Sequence, residues 1–193
     1  TQDTLLNVAI QVWELYLEDK GRSPYTIKAF TGDLKILAKF FSPDKKVGTV
    51  TTNELNQFFD WLQKGRGKPC SPKTLARRIT SVKSFFRWLR SYGAIVADPA
   101  EKVVQKSVIS PLPKVLTPEE HARVLEAANA YRMDKKQDAR PYCLVALLLC
   151  TSIKKGECRE IDINHLDIVN TKDPGVFIRY ANPSYRYKER RIS

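Results

Sequence analysis

The residues from Tyr142 to Asp167 read YCLVALLLCTSIKKGECREIDINHLD, and they decide most of what the sequence predicts. The part from Cys143 to Cys150 is wholly apolar and too short to cross a bilayer, which takes roughly 20 residues. We therefore expect a helix that is buried in a protein core. A polar stretch follows at once, and it places two cations and a carboxylate at the end of that helix: Lys154, Lys155 and Glu157. A phosphate site requires charges held in such rigid positions.

This stretch resembles the catalytic domain of the tyrosine recombinase (phage integrase) family, in which an apolar helix precedes the pattern Thr-Gly-x-Arg-x-Gly-Glu. Thr151, Gly156 and Glu157 match the pattern. Ser152 stands at the first Gly, and Lys154 stands at the Arg. The resemblance implies that Lys154 contacts the scissile phosphate and that Glu157 is also a catalytic residue. An ammonium does not reproduce the planar fork of a guanidinium, and the alternative is a solvated turn after a core helix.

The composition of the chain indicates a polyanionic partner. The 193 residues include 33 Lys and Arg against 21 Asp and Glu, which gives a net charge of +12. Double-stranded DNA is favoured over a membrane because the sequence has no long apolar span. Four cysteines without a Cys-x-x-Cys pair and only two histidines give no zinc pattern. We therefore expect no metal, and buried thiols in a reducing cytoplasm.

The first half of the chain predicts four helices. Apolar residues recur at helical spacing from Thr4 to Lys20, which predicts the first helix. Ser23 and Ser71 are each followed by Pro, and they are predicted N-caps of the second and the fourth helix. Thr51 and Glu54 form a capping box that opens the third helix.

The fourth helix carries the strongest indication of a binding surface. When each residue is rotated by about 100°, one side of the helix collects cations and hydroxyl groups with no acidic residue between them. A solvated helix face usually mixes charges of both signs. Contact with DNA phosphates or a DNA groove is therefore favoured over an ordinary solvent-exposed face. This polar stripe consists of Lys73, Arg77, Thr80, Lys83, Ser84 and Arg87.

The start of the second helix also suits an anion, because a helix N-terminus offers backbone N–H groups. Ser23, Thr26 and Lys28 are candidates to contact a DNA phosphate; the alternative is that Ser23 only caps its own helix. Four helices in this order, with Thr26, Thr74 and Arg77 near helix starts, resemble the core-binding (SAM-like) domain of tyrosine recombinases. The resemblance implies a DNA-binding domain and adds Thr74 to the predicted contacts.

The second half of the chain predicts a linker and a second domain. We assign residues 1–104 to the SAM-like domain, 105–115 to a Pro-rich linker and 116–193 to the first half of a recombinase catalytic domain. Near the end, alternating residues predict a β-hairpin with one strand from Val176 to Tyr180 and a return strand from Tyr185 to Ile192.

The return strand contains Lys188, Glu189 and Arg190, which resemble the Lys-x-Arg ending of the corresponding hairpin in tyrosine recombinases. In that family the hairpin carries a lysine that protonates the leaving 5′ oxygen. The resemblance implies that Lys188 has this role, with Lys172 as a poorer candidate, although no Gly-Lys-Gly is present. The alternative is a basic strand whose Arg186 and Arg190 contact the DNA backbone.

Together these features predict a mainly α protein with a small β-hairpin: a four-helix SAM-like domain, a linker and a truncated α+β catalytic domain. The family's His-x-x-Arg box and nucleophilic Tyr have no counterpart here, since Tyr180, Tyr185 and Tyr187 lie on the predicted hairpin. We expect the chain to clamp duplex DNA, and the full enzyme to cleave and rejoin strands through a phosphotyrosine without a cofactor. We expect the chain alone not to cleave DNA.

Two alternatives remain open. The first is a non-catalytic DNA-binding factor derived from an integrase, which Lys154 favours. The second is a helical protein-interaction module, which the stripe on the fourth helix disfavours. The resemblance also implies a cytoplasmic, nucleoid-associated protein of a prokaryote or phage that serves a mobile element. It implies a monomer for this chain alone and an oligomer of the full-length protein on DNA.

Overall fold

The computed structural model describes residues 1–65, 67, 69–104, 112, 114–134, 137–169 and 172–193. The chain divides into two compact units: unit 1 is residues 1–112 and unit 2 is residues 113–193. Most of the predicted linker, residues 105–115, lies outside the described residues. Within the described ranges, no helix is both long and apolar enough to span a membrane.

The described part of unit 1 confirms the four predicted helices. Their bounds are Leu6–Asp19 for α1, Pro24–Phe40 for α2, Thr52–Lys64 for α3 and Pro72–Ser91 for α4. A short 3₁₀ helix, Val47–Thr49, precedes α3. The helices enclose an apolar core because each turns a stripe of large side chains inward. Fully buried side chains include Trp13, Phe58, Phe85 and Phe86.

The caps of these helices also agree with the sequence. Ser23 caps α2, Ser71 caps α4, and Thr51 and Glu54 form the capping box of α3. Each cap satisfies backbone N–H groups that the first helical turn leaves without an intrahelical partner. The starts of α2, α3 and α4 are therefore fixed by local chemistry.

Within its described residues, unit 2 combines three α-helices with a small antiparallel sheet. The helices are α5, Pro118–Met133; α6, Arg140–Cys150; and α7, Lys155–Arg159. The strands lie in the order β1-β2-β3, with bounds Leu166–Asp167, Gly175–Ile178 and Arg190–Ile192. The protein is thus mainly α with a small β element, as predicted.

The predicted hairpin is correct only in part. β2 and β3 pair in antiparallel register, but the return strand does not begin at Tyr185. The segment Pro183–Lys188 is a 3₁₀ helix instead. Asn182 caps it, because its side-chain oxygen accepts a hydrogen bond from the Ser184 N–H at 2.9 Å and so favours a turn over an extended strand. Strand β1 is not predicted from the sequence, since two residues are too few to show an alternating pattern.

The prediction that α6 is buried is wrong for the described part of the chain. None of its 11 residues is fully buried, and Leu144 is 48% exposed. α6 packs against α5 and α7, whereas a helix that is apolar all round needs neighbours on every side to be buried. The prediction of buried thiols is wrong as well: Cys143 and Cys150 are exposed, and Cys70 and Cys158 are half-buried.

Candidate nucleic-acid interface

Two helices of unit 1 begin with the same pattern, Ser-Pro-x-Thr. At the start of α2, Ser23 Oγ accepts a hydrogen bond from the Thr26 N–H at 3.1 Å, and the two hydroxyl oxygens are 2.8 Å apart. At the start of α4, Ser71 Oγ accepts from the Thr74 N–H at 3.3 Å. Ser23 therefore has the capping role that was one of its two predicted roles. Contact of Ser23, Thr26 or Thr74 with DNA stays a prediction.

The polar stripe of α4 lies on the surface of unit 1. The opposite face of the helix carries Ile79, Val82 and Phe86, which are buried in the core. Lys28, in the first turn of α2, is exposed too. The stripe and the α2 start together form what we call the basic surface. In the stripe, Lys73, Arg77, Thr80 and Arg87 are exposed, and Lys83 and Ser84 are half-buried.

A buried carboxylate from α2 reaches the stripe. The Asp33 side chain is 3% exposed, and its Oδ2 accepts hydrogen bonds from Arg77 Nη1 at 2.7 Å and from the Ser81 hydroxyl at 2.8 Å. Arg78 Nε lies 3.4 Å from Oδ1. Arg77 Nη1 also donates to the Ala29 carbonyl at 3.1 Å. The stripe thus has an acidic partner at one position, on a different helix.

Lys154 is exposed at the N-cap of α7. Its backbone N–H donates to Glu157 Oε2 at 3.0 Å, so a carboxylate fixes the start of this short helix. Ile153, the residue before it, is buried and anchors the turn. The ammonium group of Lys154 is therefore carried to the surface on a fixed backbone. A phosphate contact needs this placement, and a solvated turn would show it too.

Glu157 is the centre of a polar cluster in unit 2. Its side chain is 5% exposed and accepts hydrogen bonds from Arg190, at 3.0 Å from Nη1 and 2.7 Å from Nη2. The Tyr180 hydroxyl also donates to it. These bonds, those from Arg190 above all, lower the pKa of Glu157 to about 2 although burial raises it. The same carboxylate raises the pKa of Tyr180. Arg190, a predicted DNA contact, is thus held by Glu157.

The remaining predicted residues lie on the 3₁₀ helix between β2 and β3. Lys188 Nζ is 4.7 Å from the ring centroid of Tyr185 and 5.2 Å from that of Tyr187, a cation–π arrangement. Arg186 shares a cavity of about 660 Å³ with Glu157. In the described ranges, no three His, Cys, Asp or Glu side chains come together as they would around a metal ion.

Sequence reasoning missed Asp33, Arg78 and Ser81 in unit 1 and Tyr180 in unit 2. Asp33 lies among the apolar positions of α2, and a carboxylate in an apolar stripe was the signal that could have found it. Tyr180 was considered only as a tyrosine that cannot be the nucleophile. Its bond to Glu157 joins residues 23 positions apart and follows from tertiary structure alone.

Comparison with known proteins agrees with the prediction of a SAM-like fold in the first half of the chain. The family model described as the phage integrase N-terminal SAM-like domain matches residues 10–93. The tyrosine recombinase XerC of Mycobacterium sp. (strain JLS) is 30% identical over 163 residues, which are 82% of this chain and 53% of that protein. The chain therefore spans about half the length of the curated relatives that it matches.

Solved structures agree on the fold. A lambda integrase dimer bound to a COC′ core site has a TM-score of 0.72 at 15% identity, over 98% of this chain and 62% of that one. The Tn1549 transposon integrase in complex with a circular-intermediate DNA has a TM-score of 0.67 at 18% identity, over 95% and 60% of the two chains. The fold is thus that of the integrases. The family model and the XerC similarity support a place for the chain in the tyrosine recombinase (phage integrase) family.

Proposed function

We propose that this chain is the DNA-binding portion of a site-specific tyrosine recombinase, which clamps duplex DNA for strand cleavage and rejoining through a phosphotyrosine intermediate. The stripe on α4 carries the proposal, because it places Lys73, Arg77 and Arg87 on one exposed side of a rigid helix in a protein of net charge +12. Cations in this arrangement displace counterions from a nucleic-acid backbone. The XerC relative is named a tyrosine recombinase, and the similar integrases were solved on DNA.

In unit 2 we assign the contact with the scissile phosphate to Lys154. Glu157 supports it, since it fixes the Lys154 backbone and is itself ionised and held by Arg190. Lys188 is the candidate for the lysine that protonates the leaving oxygen, and the alternative is a basic segment whose Arg186 and Arg190 contact the DNA backbone. Chemistry through a phosphotyrosine conserves the energy of the phosphodiester, so the proposed reaction needs no cofactor.

We also propose that this chain alone is a monomer and that the longer protein assembles on DNA. Lambda integrase, whose fold is similar, was solved as a dimer on a core site and as a tetramer on a Holliday junction. A protein of this kind acts in the cytoplasm, at the nucleoid or at a mobile element.

A binding isotherm over a salt series tests the proposed function. We expect micromolar-range binding to a duplex of any sequence, with affinity that falls by orders of magnitude between about 50 and 200 mM salt if several phosphates are contacted. Affinity that is equal at the two salt concentrations would contradict the proposal.

A non-catalytic DNA-binding factor is the second candidate. It is favoured by Lys154 at the position of the family's Arg and by the placement of Lys188 over two tyrosine rings. We expect this chain alone to form no covalent adduct with a nicked half-site in denaturing electrophoresis. An adduct through Tyr180, Tyr185 or Tyr187 would contradict that expectation. Cleavage by the longer protein would exclude the non-catalytic factor.

A further inference from the structure

The Asp33 carboxylate holds one nitrogen of the Arg77 guanidinium. Arg77 Nη1 donates one hydrogen bond to Asp33 Oδ2 at 2.7 Å and another to the Ala29 carbonyl at 3.1 Å, so both of its N–H groups are used. A guanidinium is a rigid plane with five N–H donors. Two bonds from one nitrogen to acceptors on the same helix therefore fix the orientation of the whole plane.

The other edge of the Arg77 guanidinium is open. Among the described residues no partner for Nε or Nη2 occurs, and the side chain is 41% exposed. Nε and Nη2 together form a fork that can donate to two oxygens of one phosphate. Because Nη1 is bonded to Asp33 and Ala29, the edge formed by Nε and Nη2, which suits a phosphate, faces away from Asp33.

The partners of Asp33 point to a role beyond packing. Its oxygens meet Arg77, Arg78 and Ser81, which lie within about one turn of α4. Arg78 is turned inward and donates to Cys70 Sγ at 3.3 Å, whereas Arg77 is turned outward. A buried ion pair is often no more stabilising than apolar side chains of similar volume. Stability alone therefore does not explain why a carboxylate stands here.

We propose that Asp33 is a positioning residue for DNA binding: it fixes Arg77 so that Nε and Nη2 meet a backbone phosphate as a preformed fork. The inference rests on the proposed function, because it assumes that the basic surface contacts DNA. A side chain that is already ordered loses less rotamer freedom on binding than a mobile one. A count of charges alone predicts that replacing Asp33 raises DNA affinity, since it removes a negative charge beside a DNA-binding surface. The positioning role predicts that DNA affinity falls.

The test compares Asp33→Asn with Asp60→Asn in the full 193-residue chain. Asp60 is exposed on α3, and each substitution raises the net charge by one. Binding to a labelled duplex of mixed sequence is measured by fluorescence anisotropy over a salt series. We expect Asp33→Asn to lose up to about eightfold in affinity at 0.1 M salt and to lower the log–log salt slope by roughly 0.9, the value for one phosphate contact. Asp60→Asn should bind as well as the unchanged chain or slightly better.

The outcomes separate the inference from the proposed function. If the unchanged chain shows no salt-dependent binding, the proposed function fails. If the unchanged chain binds and Asp33→Asn matches Asp60→Asn, the positioning role of Asp33 is overturned. In an Arg77→Ala background, Asp33→Asn should cause no further loss, and a further loss would show that Asp33 acts through some other group.

A second variant covers the case in which Asp33→Asn fails to fold. Arg77→Lys keeps the charge at an exposed position, but an ammonium cannot hold Asp33 and present a flat fork to a phosphate at the same time. We expect its affinity to fall by at least about threefold while the net charge is unchanged. Equal affinity of Arg77→Lys and the unchanged chain would overturn the proposal.

Discussion

Unit 1 and unit 2 are stabilised in different ways. In unit 1 the described residues form one apolar cluster whose members run from Leu6 to Val103. In the described part of unit 2, the buried apolar side chains are Ala128, Ile153 and Ile178. Each unit has a buried carboxylate, Asp33 in unit 1 and Glu157 in unit 2, but in unit 2 the carboxylate joins α7 to the sheet where few apolar side chains are buried.

This difference matters because the two kinds of interaction respond to different conditions. Apolar burial has no preferred direction and does not titrate. Hydrogen bonds to a carboxylate are directional, and they are lost when the carboxylate is protonated. We therefore expect unit 1 to stay folded under conditions that weaken unit 2. Unit 2 should depend on one polar cluster, which also holds the backbone of Lys154.

The largest expected effect is that of Phe86→Ala in the core of unit 1. Phe86 is fully buried, and truncation of a buried Phe lowers the free energy of unfolding by about 3–5 kcal/mol. Denaturant unfolding followed by circular dichroism measures the loss. Leu144→Ala, on the half-exposed α6, is the matched truncation in unit 2, and its effect should be clearly smaller. Equal losses would remove the difference between the units.

Acid should weaken unit 2 before unit 1. The folded pKa of Glu157 is about 2, below the ordinary value of 4.5, so the ionised carboxylate stabilises the fold above pH 4.5. That stability is lost as the pH falls from 4.5 towards 2, and it amounts to at most about 3 kcal/mol at neutral pH. Hydrogen exchange of residues 113–193 against residues 1–112, corrected for intrinsic rates, measures the loss.

Two variants sharpen this pH experiment. Glu157→Gln should already be destabilised at neutral pH and should lose little more between pH 5 and 2, a range that covers the loss expected of the unchanged chain between 4.5 and about 2. Glu160→Gln, which removes an exposed carboxylate paired with Arg159, should keep the pH dependence of the unchanged chain. If Glu157→Gln still loses protection as steeply as the unchanged chain, some other group controls the acid response.

Lys154→Arg should separate chemistry in unit 2 from affinity in unit 1. In a chain extended through the family's C-terminal elements, we expect cleavage of a half-site to rise at least tenfold, since a guanidinium can donate to two phosphate oxygens that gain charge in the transition state. Duplex affinity should change by less than about threefold, because the charge is kept. Single-turnover cleavage and a binding isotherm at the same salt concentration measure the two effects. Equal cleavage by both proteins would favour the solvated-turn interpretation of Lys154.

Arg87→Ala should have the smallest effect of the four. Removal of one phosphate contact lowers affinity by roughly eightfold at 0.1 M salt, by a similar factor for every DNA sequence. Arg90→Ala is the control on the same helix, since Arg90 is paired with Glu101 at 3.2 Å. If Arg87→Ala weakened binding only to duplexes with a particular base at one position, Arg87 would contact that base directly.

Local chemistry explains which elements could be predicted. The starts of α2 and α3 follow from Ser23 and from the Thr51 and Glu54 pair, because a cap and the N–H group that it satisfies lie within three residues of each other. The residues from Tyr185 to Lys188 are predicted as strand because they alternate, whereas they belong to the 3₁₀ helix Pro183–Lys188 that begins at the Asn182 cap. The alternating residue pattern and the helix cap favour different structures in this segment, and the structure follows the cap.

By itself, the sequence determined the helical first half, the stripe of cations on α4 and the resemblance to the tyrosine recombinases, because periodicity, caps and charge are properties of neighbouring residues. Tertiary structure alone decided which cationic side chains are held by a carboxylate, and by which one. Asp33 reaches Arg77 across 44 positions and Arg190 reaches Glu157 across 33. Contacts at such separations depend on how helices and strands pack, and no local pattern in the chain encodes them.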